Sequence, residues 1–358
     1  MKIYVPEYYR SFKCIAEKCR DNCCIGWGID IDEVSLEKYK NLKNPEGERI
    51  LSTIDFSAGA SFISDGQGRC KNLDERGLCR IISALGEGYL CQICRDHPRY
   101  FNCVFGRCEG GLGLACEEAA RMILSLDHLP EIVEIESDEI DYLWDDEPCD
   151  FAFSARDILL GVAFDASLSA AEKIRRLMSL ANRADELIFE INCGIREDSA
   201  AADEMPKKAP ENPLDVEDFF DVEDFFDVED FIAESLGIFH GLDLLSEDFG
   251  RNLTAALTAA RENPAEFLAF FDAAGKKHLA PLTYYFIHRY FLSAEGQPQE
   301  NMRLCLSLTL ATMALVFANA DEASDSAEIP AKDFSKNIEY STENISTLLE
   351  KIEKMQIM

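Results

Sequence analysis

Eleven of the 14 cysteines in this chain (Cys14, Cys19, Cys23, Cys24, Cys70, Cys79, Cys91, Cys94, Cys103, Cys108 and Cys116) fall within the first 116 of its 358 residues. So many thiols in so short a span either hold an inorganic centre or are cross-linked, and the compartment decides between the two. The N-terminus MKIYVPEYYR carries charge and a proline where a secretory leader would have its apolar run, and no stretch of about 18 uncharged apolar residues follows. A cytoplasmic location is expected, where structural disulfides are rare, so the cysteines read as metal or cluster ligands. Cys149, Cys193 and Cys305 stand alone among helical segments and read as core residues.

The spacing is C-x4-C-x3-C-C from Cys14 to Cys24, C-x8-C at Cys70 and Cys79, and C-x2-C at Cys91 and Cys94. Only the last is a knuckle that wraps two sulfurs around one ion locally. A zinc ribbon would show two such knuckles, and the adjacent Cys23 and Cys24 fit neither a zinc finger nor a ferredoxin. The C-x3-C-x2-C of a radical S-adenosylmethionine enzyme is absent. A closed structural site of zinc or iron–sulfur, without a catalytic part, is the plainer alternative, because a set made only of thiolates leaves no open position.

Charge follows the same divide. The formal net charge is −32; residues 1 to 126 hold 17 Lys+Arg against 18 Asp+Glu, so 18 − 49 = −31 resides in the rest. Such a chain is a poor partner for phosphate backbones or anionic lipid, which excludes general nucleic-acid and membrane-surface roles. The pattern predicts a mainly α (α+β) protein: an irregular cysteine-rich metal-binding region with a small hairpin over 1–126, a helical segment over 127–197, an acidic linker over 198–232, and a helical domain over 233–358. Helical spacing covers 152–164, 168–192, 248–275, 279–294 and 300–320. Trp27 to Asp32 alternates like a half-buried strand, and a capped helix start follows at Ser35. Residues 100–105 and 111–115 pair as the hairpin, and a helix begins at Cys116 with Glu117 and Glu118 in its first turn. The linker contains DVEDFF at 215–220, again at 221–226, and DVEDFI at 227–232, a local expansion whose phenylalanines dock an acidic helix or bind a partner.

Three strings carry a resemblance: PEYYRSFKCIAEKCRDNCCIGWGIDID at 6–32, GLCRIISALGEGYLCQICRDHPRYF at 77–101 and LGLACEEAARMIL at 112–124. With weaker matches in TYYFIHRYF at 283–291 and FSKNIEYSTENISTLL at 334–349, the chain resembles the flagellin lysine-N-methylase (FliB) family, and its N-terminal part resembles cysteine-rich zinc- or iron-chelating domains. The resemblance implies methyl transfer from S-adenosylmethionine to the ε-amine of flagellin lysines by a protein carrying a 4Fe-4S cluster, or zinc. It implies as ligands Cys14, Cys19, Cys23, Cys24, Cys70, Cys79, Cys91, Cys94 and Cys116; Cys103 and Cys108 lie where the family has no fixed pattern. His97 stands where the family has tyrosine before Pro98, and the DVEDFF repeat is not a family feature.

A lysine with a pKa of about 10.4 is almost fully protonated at pH 7, so methylation needs a group to desolvate the amine and take its proton. Candidates are Asp30, Asp32, Glu117, Tyr8 and Tyr9, with Trp27 able to face a sulfonium or ammonium. Arg95, Arg99 and Arg121 are candidates for the carboxylate of the methyl donor. Each has a plainer reading: Glu117 a helix-start carboxylate, Asp30 and Asp32 caps or ion-pair partners of Arg95 or Arg99, Trp27 core, and the arginines salt bridges. Glu109-Gly110-Gly111-Leu112-Gly113 lacks the strand and crossover of a nucleotide-binding loop and reads as a hairpin turn. The five histidines are scattered and read singly as packed or exposed residues. A non-catalytic metal-binding or redox scaffold is the competing class.

Overall fold

The computed structural model describes residues 2–136, 149–192, 227–273, 275–319 and 327–356. The chain opens with strand β1 (Lys2–Pro6) and passes through the cysteine-rich segment as α1 (Glu33–Asn41), α2 (Pro45–Leu51), β2 (Ile54–Asp55), β3 (Ser61–Phe62), α3 (Arg80–Leu85) and α4 (Gln92–Asp96). It returns through β4 (Arg99–Val104), β5 (Arg107–Leu112), α5 (Glu117–Leu124) and β6 (Ile132–Glu136). Helices follow: α6 (Asp150–Phe164), α7 (Ala170–Asn192), α8 (Val228–Gly237), α9 (Glu247–Glu262), α10 (Pro264–Asp272), α11 (Lys276–Tyr290), α12 (Pro298–Ala318), α13 (Glu328–Ile338) and α14 (Thr342–Gln356). The expected mainly α (α+β) class is what the structure shows.

Two cores form. The larger joins β1, β5 and α5 to the helical array, with Ile3, Val5, Leu112, Ala120, Leu159, Phe286 and Leu308 among its buried members. The smaller gathers Ile29, Ile31, Tyr39, Ile50, Ile54, Phe62 and Ile81 around Cys70 and Cys91. Packing therefore crosses residue 126: β6 pairs antiparallel with β1, which pairs parallel with β5, giving the order β4-β5-β1-β6. Helix α12 is long and apolar enough to cross a bilayer, yet 83% of its apolar window is buried inside the protein, the condition of a core helix.

Several local expectations shift. Residues 27–32 are extended and alternate as expected, Ile29 and Ile31 inward and Asp30 outward, but meet β3 only through bonds such as Phe62 N to Ile29 O (2.9 Å). Helix α1 starts before Ser35 because Asp32 is its cap, accepting from Ser35 N at 2.8 Å. The glycine run is strand and not turn: the hairpin turns ahead of it, at Phe105-Gly106, both with positive φ (49° and 73°), and pairs Cys103 with Cys108. These two form a disulfide, which corrects the expectation that the cysteines are unlinked. The expected helix 248–275 breaks at Asn263-Pro264, where the proline opens α10. Helices α8, α13 and α14 lie outside the helical spans expected from the sequence. The third repeat copy opens α8: Asp227 caps it through Glu229 N and Asp230 N, and Val228, Phe231 and Ile232 are buried. The first two copies, the 198–214 connection and Cys193 lie outside the described residues.

Glycine in β5 has a packing reason. A Cβ at Gly111 would sit 2.4 Å from the Tyr100 hydroxyl, and Tyr100 is pinned by His288 Nδ1 at 3.0 Å and by Arg289 over its ring at 4.5 Å. Gly111→Ala is expected to destabilise by about 1–3 kcal/mol in urea unfolding. Gly161→Ala, on the exposed face of α6 where an added Cβ meets nothing within 4 Å, should leave stability equal or slightly raised.

Candidate thiol centre and the aromatic junction beside it

Short backbone ties bring distant cysteines together. Cys70 N donates to Cys24 O at 2.9 Å and Gly26 N to Gly68 O at 3.0 Å, so the Asn22–Gly26 loop lies along residues 68–70. Asn22 Nδ2 donates to Gly77 O at 2.6 Å, close to Cys79, which immediately precedes α3. Asp32 Oδ2 accepts from Gln92 N at 2.8 Å, fastening the start of α1 to the Cys91–Cys94 knuckle at the start of α4. Cys24, Cys79 and Cys94 thus pack at the edge of the small core that buries Cys70 and Cys91.

The electrostatics trace the same group. A hydrogen bond from Cys24 holds the Cys23 thiol below its usual value, while Cys24 is pushed up by that bond, by burial and by Cys23, Cys79 and Cys70 nearby. Cys91 and Cys94 repeat the arrangement: Cys91 is lowered by its bond from Cys94, and Cys94 is raised by that bond, by burial and by Cys91, Cys24 and Cys79. Burial raises Cys70 and Cys79. Six thiols from four segments therefore share one neighbourhood, a donor chemistry that suits a thiolate-bound ion or cluster. As the side chains stand, among the described residues no three His, Cys, Asp or Glu groups converge closely enough to hold a metal.

Three further predicted ligands, Cys14, Cys19 and Cys116, adjoin that group on its Cys23 side. Cys19 bonds Asp21 O and approaches Glu117 Oε2 at 3.6 Å, and burial pushes its thiol up to about 12. Cys116, raised to about 11 by burial, immediately precedes α5 and has Cys23 and exposed Cys14 as thiol neighbours.

Two of the carboxylates singled out from the sequence, Asp32 and Glu117, have architectural partners. Asp32 divides its oxygens between Ser35 N and Gln92 N. Glu117 accepts from Arg20 N (2.8 Å) and Arg20 Nε (2.7 Å). Asp30 is exposed. Tyr8 and Tyr9 pack into the large core, and burial raises the Tyr8 phenol. Arg121 pairs with Glu118, Arg95 with Asp96, and Arg99 lies over the rings of Tyr9 and Phe12, so the three arginines have separate surroundings.

Trp27 stands at a junction the sequence does not reveal. Its ring centre is 5.1 Å from Tyr340 and 5.8 Å from His97, which are 6.2 Å apart. Its indole N–H donates to Cys23 O at 2.5 Å, tying this triangle to the thiol group. Lys336 Nζ lies 5.4 Å from the Trp27 ring centre and 3.2 Å from Asp21 Oδ2, which Lys332 reaches at 2.5 Å. Burial alone would raise Asp21; the two ammoniums override it and hold the carboxyl below its usual range. Burial, then the Lys336 charge, pushes His97 down to about 4, so its imidazole is neutral at pH 7.

Behind the junction lies a buried polar brace. Glu339 accepts from Tyr285 (2.9 Å) and Tyr290 (3.1 Å) and pairs with Arg289 at 3.4 Å, and Arg289 lies 5.5 Å from the Tyr340 ring centre. Glu109 in β5 is bonded by Arg156 of α6 and paired with Arg107 at 3.0 Å, with His288 Nε2 4.0 Å away.

These features define a helical protein with a thiol-rich module docked on its N-terminal sheet and C-terminal helices. Lysine-N-methylases of Salmonella typhimurium and Salmonella choleraesuis are each 31% identical to it over 127 residues, 34% of this chain and 32% of theirs. A flagellar biosynthetic protein FliU of Salmonella muenchen is 30% identical over 127 residues, 34% of this chain and 75% of its own length. The chain belongs to this lysine-N-methylase and FliU (FliB) family. It spans about a third of the length of the lysine-N-methylases it matches. No protein-family model matches it, and no solved structure does.

Proposed function

We infer that this chain is a cytoplasmic protein-lysine N-methyltransferase that moves a methyl group from S-adenosylmethionine to the ε-amine of flagellin lysines, with a cysteine-held 4Fe-4S cluster or zinc ion. The kinship with proteins named lysine-N-methylase carries this reading. In the reaction the sulfonium–methyl bond breaks, the N–methyl bond forms, S-adenosylhomocysteine leaves, and the amine must first lose its proton.

The junction supports this reading by its chemistry. Trp27 presents its ring face to an ammonium with Tyr340 beside it, and Asp21 lends a carboxylate. His97, lowered to about 4 by burial and the Lys336 charge, stays neutral at pH 7 and is too weak a base to take the proton of the amine; its buried Nε2 has no protein partner and can accept a hydrogen bond. Cys23, Cys24, Cys70, Cys79, Cys91 and Cys94 would hold the inorganic centre, which supplies thiolate-bound redox or Lewis-acid chemistry and orders the loops that carry Trp27 and His97. The acidic remainder of the chain suits a lysine-bearing partner in sign.

The test is incubation of anaerobically purified protein with methyl-labelled S-adenosylmethionine and flagellin from the same cell. Label on flagellin lysines is expected; no transfer by protein with an intact metal centre would leave the scaffold class instead. A visible absorbance shoulder that bleaches on reduction identifies iron–sulfur, and a colourless protein with bound zinc identifies the alternative.

A further inference from the structure

The loop carrying Asp21 and Trp27 meets α13 through two lysines, and Lys332 makes the shorter contact. Lys332 reaches Asp21 Oδ2 at 2.5 Å and Asp333 Oδ1 at 2.9 Å, with its side chain 4% exposed. Lys336, one turn further along, reaches the same Asp21 oxygen at the longer distance of 3.2 Å. Its ammonium stands instead against the Trp27 ring, on a wall completed by Tyr340 and His97. An aromatic face against an ammonium, with a carboxylate behind it and further rings beside it, is the arrangement that seats alkylammonium groups.

Three further observations mark this as a seat with room for exchange. Tyr340 is 40% exposed, so one wall opens to solvent. His97 Nε2 is buried without a hydrogen-bond partner, unused polar capacity beside the cage. Gly26, at φ +97°, runs past the Lys336 stem, where a Cβ would come within 3.5 Å of Cε.

We propose that the Trp27–Tyr340–His97 face is an alkylammonium-binding subsite and that Lys336 is its resident, displaceable occupant, which withdraws when an external ammonium enters. That the entering group is a lysine side chain of a polypeptide rests on the methyl-transfer reading; the cation seat does not. Because Lys332 keeps Asp21 tied to α13, Lys336 leaves without undocking the helix.

Tetramethylammonium chloride is the probe, since it carries the charge without a nucleophilic nitrogen. In full-length protein carrying Trp144→Phe, which leaves Trp27 as the sole indole, Lys336→Ala should bind the probe saturably, at least tenfold tighter than the same protein with Lys336 present. Sodium chloride at equal ionic strength and neutral tert-butanol should leave the fluorescence unchanged. Adding Tyr340→Leu should weaken binding about tenfold. In the unmutated protein the probe should raise acylation of Lys336 several-fold by mass spectrometry, a measurement that needs no variant to fold. Binding no tighter in Lys336→Ala, or Lys336 acylation unchanged by the probe, overturns the proposal. Probe binding without methyl transfer to flagellin would sink the enzymatic reading alone; methyl transfer without probe binding would sink the subsite alone.

Discussion

Arg156→Met is expected to cost about 3–5 kcal/mol of folding stability in urea or thermal unfolding, the cost of leaving a buried charge without its partner. Arg156 is 1% exposed and its guanidinium bonds the Glu109 carboxylate, itself 4% exposed, between α6 and β5. Methionine fills much of the volume but leaves Glu109 with Arg107, whose side chain is 30% exposed. Adding Glu109→Gln should recover much of the loss, because an amide in that place carries no uncompensated charge. A double variant as unstable as Arg156→Met would show that packing, and not charge, dominates.

The same brace fixes the direction of the pH dependence. Burial alone would raise Glu109, and the Arg156 charge overrides it, so the folded carboxyl titrates below its ordinary 4.5. Its stabilisation is present above that value and is lost as pH falls through the lowered one. Burial pushes His288 from 6.5 down to about 4. Its contribution is present above 6.5 and disappears as pH falls towards 4, because the unfolded chain binds the proton first. The wild type should therefore lose stability steadily from pH 6.5 to 4. In Arg156→Met the Glu109 carboxyl moves up, so acidification below pH 5 should cost less than in the wild type or reverse in sign.

What could be read from the sequence was what local spacing encodes. Crowded thiols, the Cys91–Cys94 knuckle and the helical spans of α6, α7 and α12 come through because each is fixed by neighbours within a turn or two. The glycine run misled, since glycine usually marks a turn; here Gly110 and Gly111 are small because the rings of Phe101 and Tyr100 cross them in the paired strand. Of the junction only Trp27 was singled out, as a ring able to face a sulfonium or ammonium; its partners were not legible. Asp21 meets Lys332 and Lys336 across 311 and 315 residues, and Trp27 meets Tyr340, contacts that no periodicity anticipates. Helix α13 carries lysines four residues apart, a spacing that reads as a solvated helix face until the partner loop is placed against it. His97 drew notice only as a departure from the family string, and its neutral buried state follows from packing.

Cys79→Ser or Cys94→Ser should lower bound metal at least tenfold and release the N-terminal module while the helical array stays folded. The small core rests on nine buried residues, two of them Cys70 and Cys91, drawn from short elements spread over residues 29 to 91. So few apolar side chains cannot offset the entropy of ordering a module this size, at roughly 1–2 kcal/mol of backbone per residue. On the proposed metal-bound reading, an ion or cluster on its thiolates would supply that folding energy, about 10–16 kcal/mol for structural zinc in small domains. The helical array needs no such help, having α11 and α12 buried along most of their lengths. Limited proteolysis should then cut the variants between residues 13 and 97 and spare α11 to α14, and a strong chelator should give the same fragments from the wild type. Cys305→Ser provides the contrast: its thiol is buried in α12 near Phe286 O at 3.3 Å, so the change should weaken the large core and leave metal content untouched. Wild-type metal content and an unchanged digest in both Cys79→Ser and Cys94→Ser would mean that those sulfurs are inert filling and that something other than a metal orders the module.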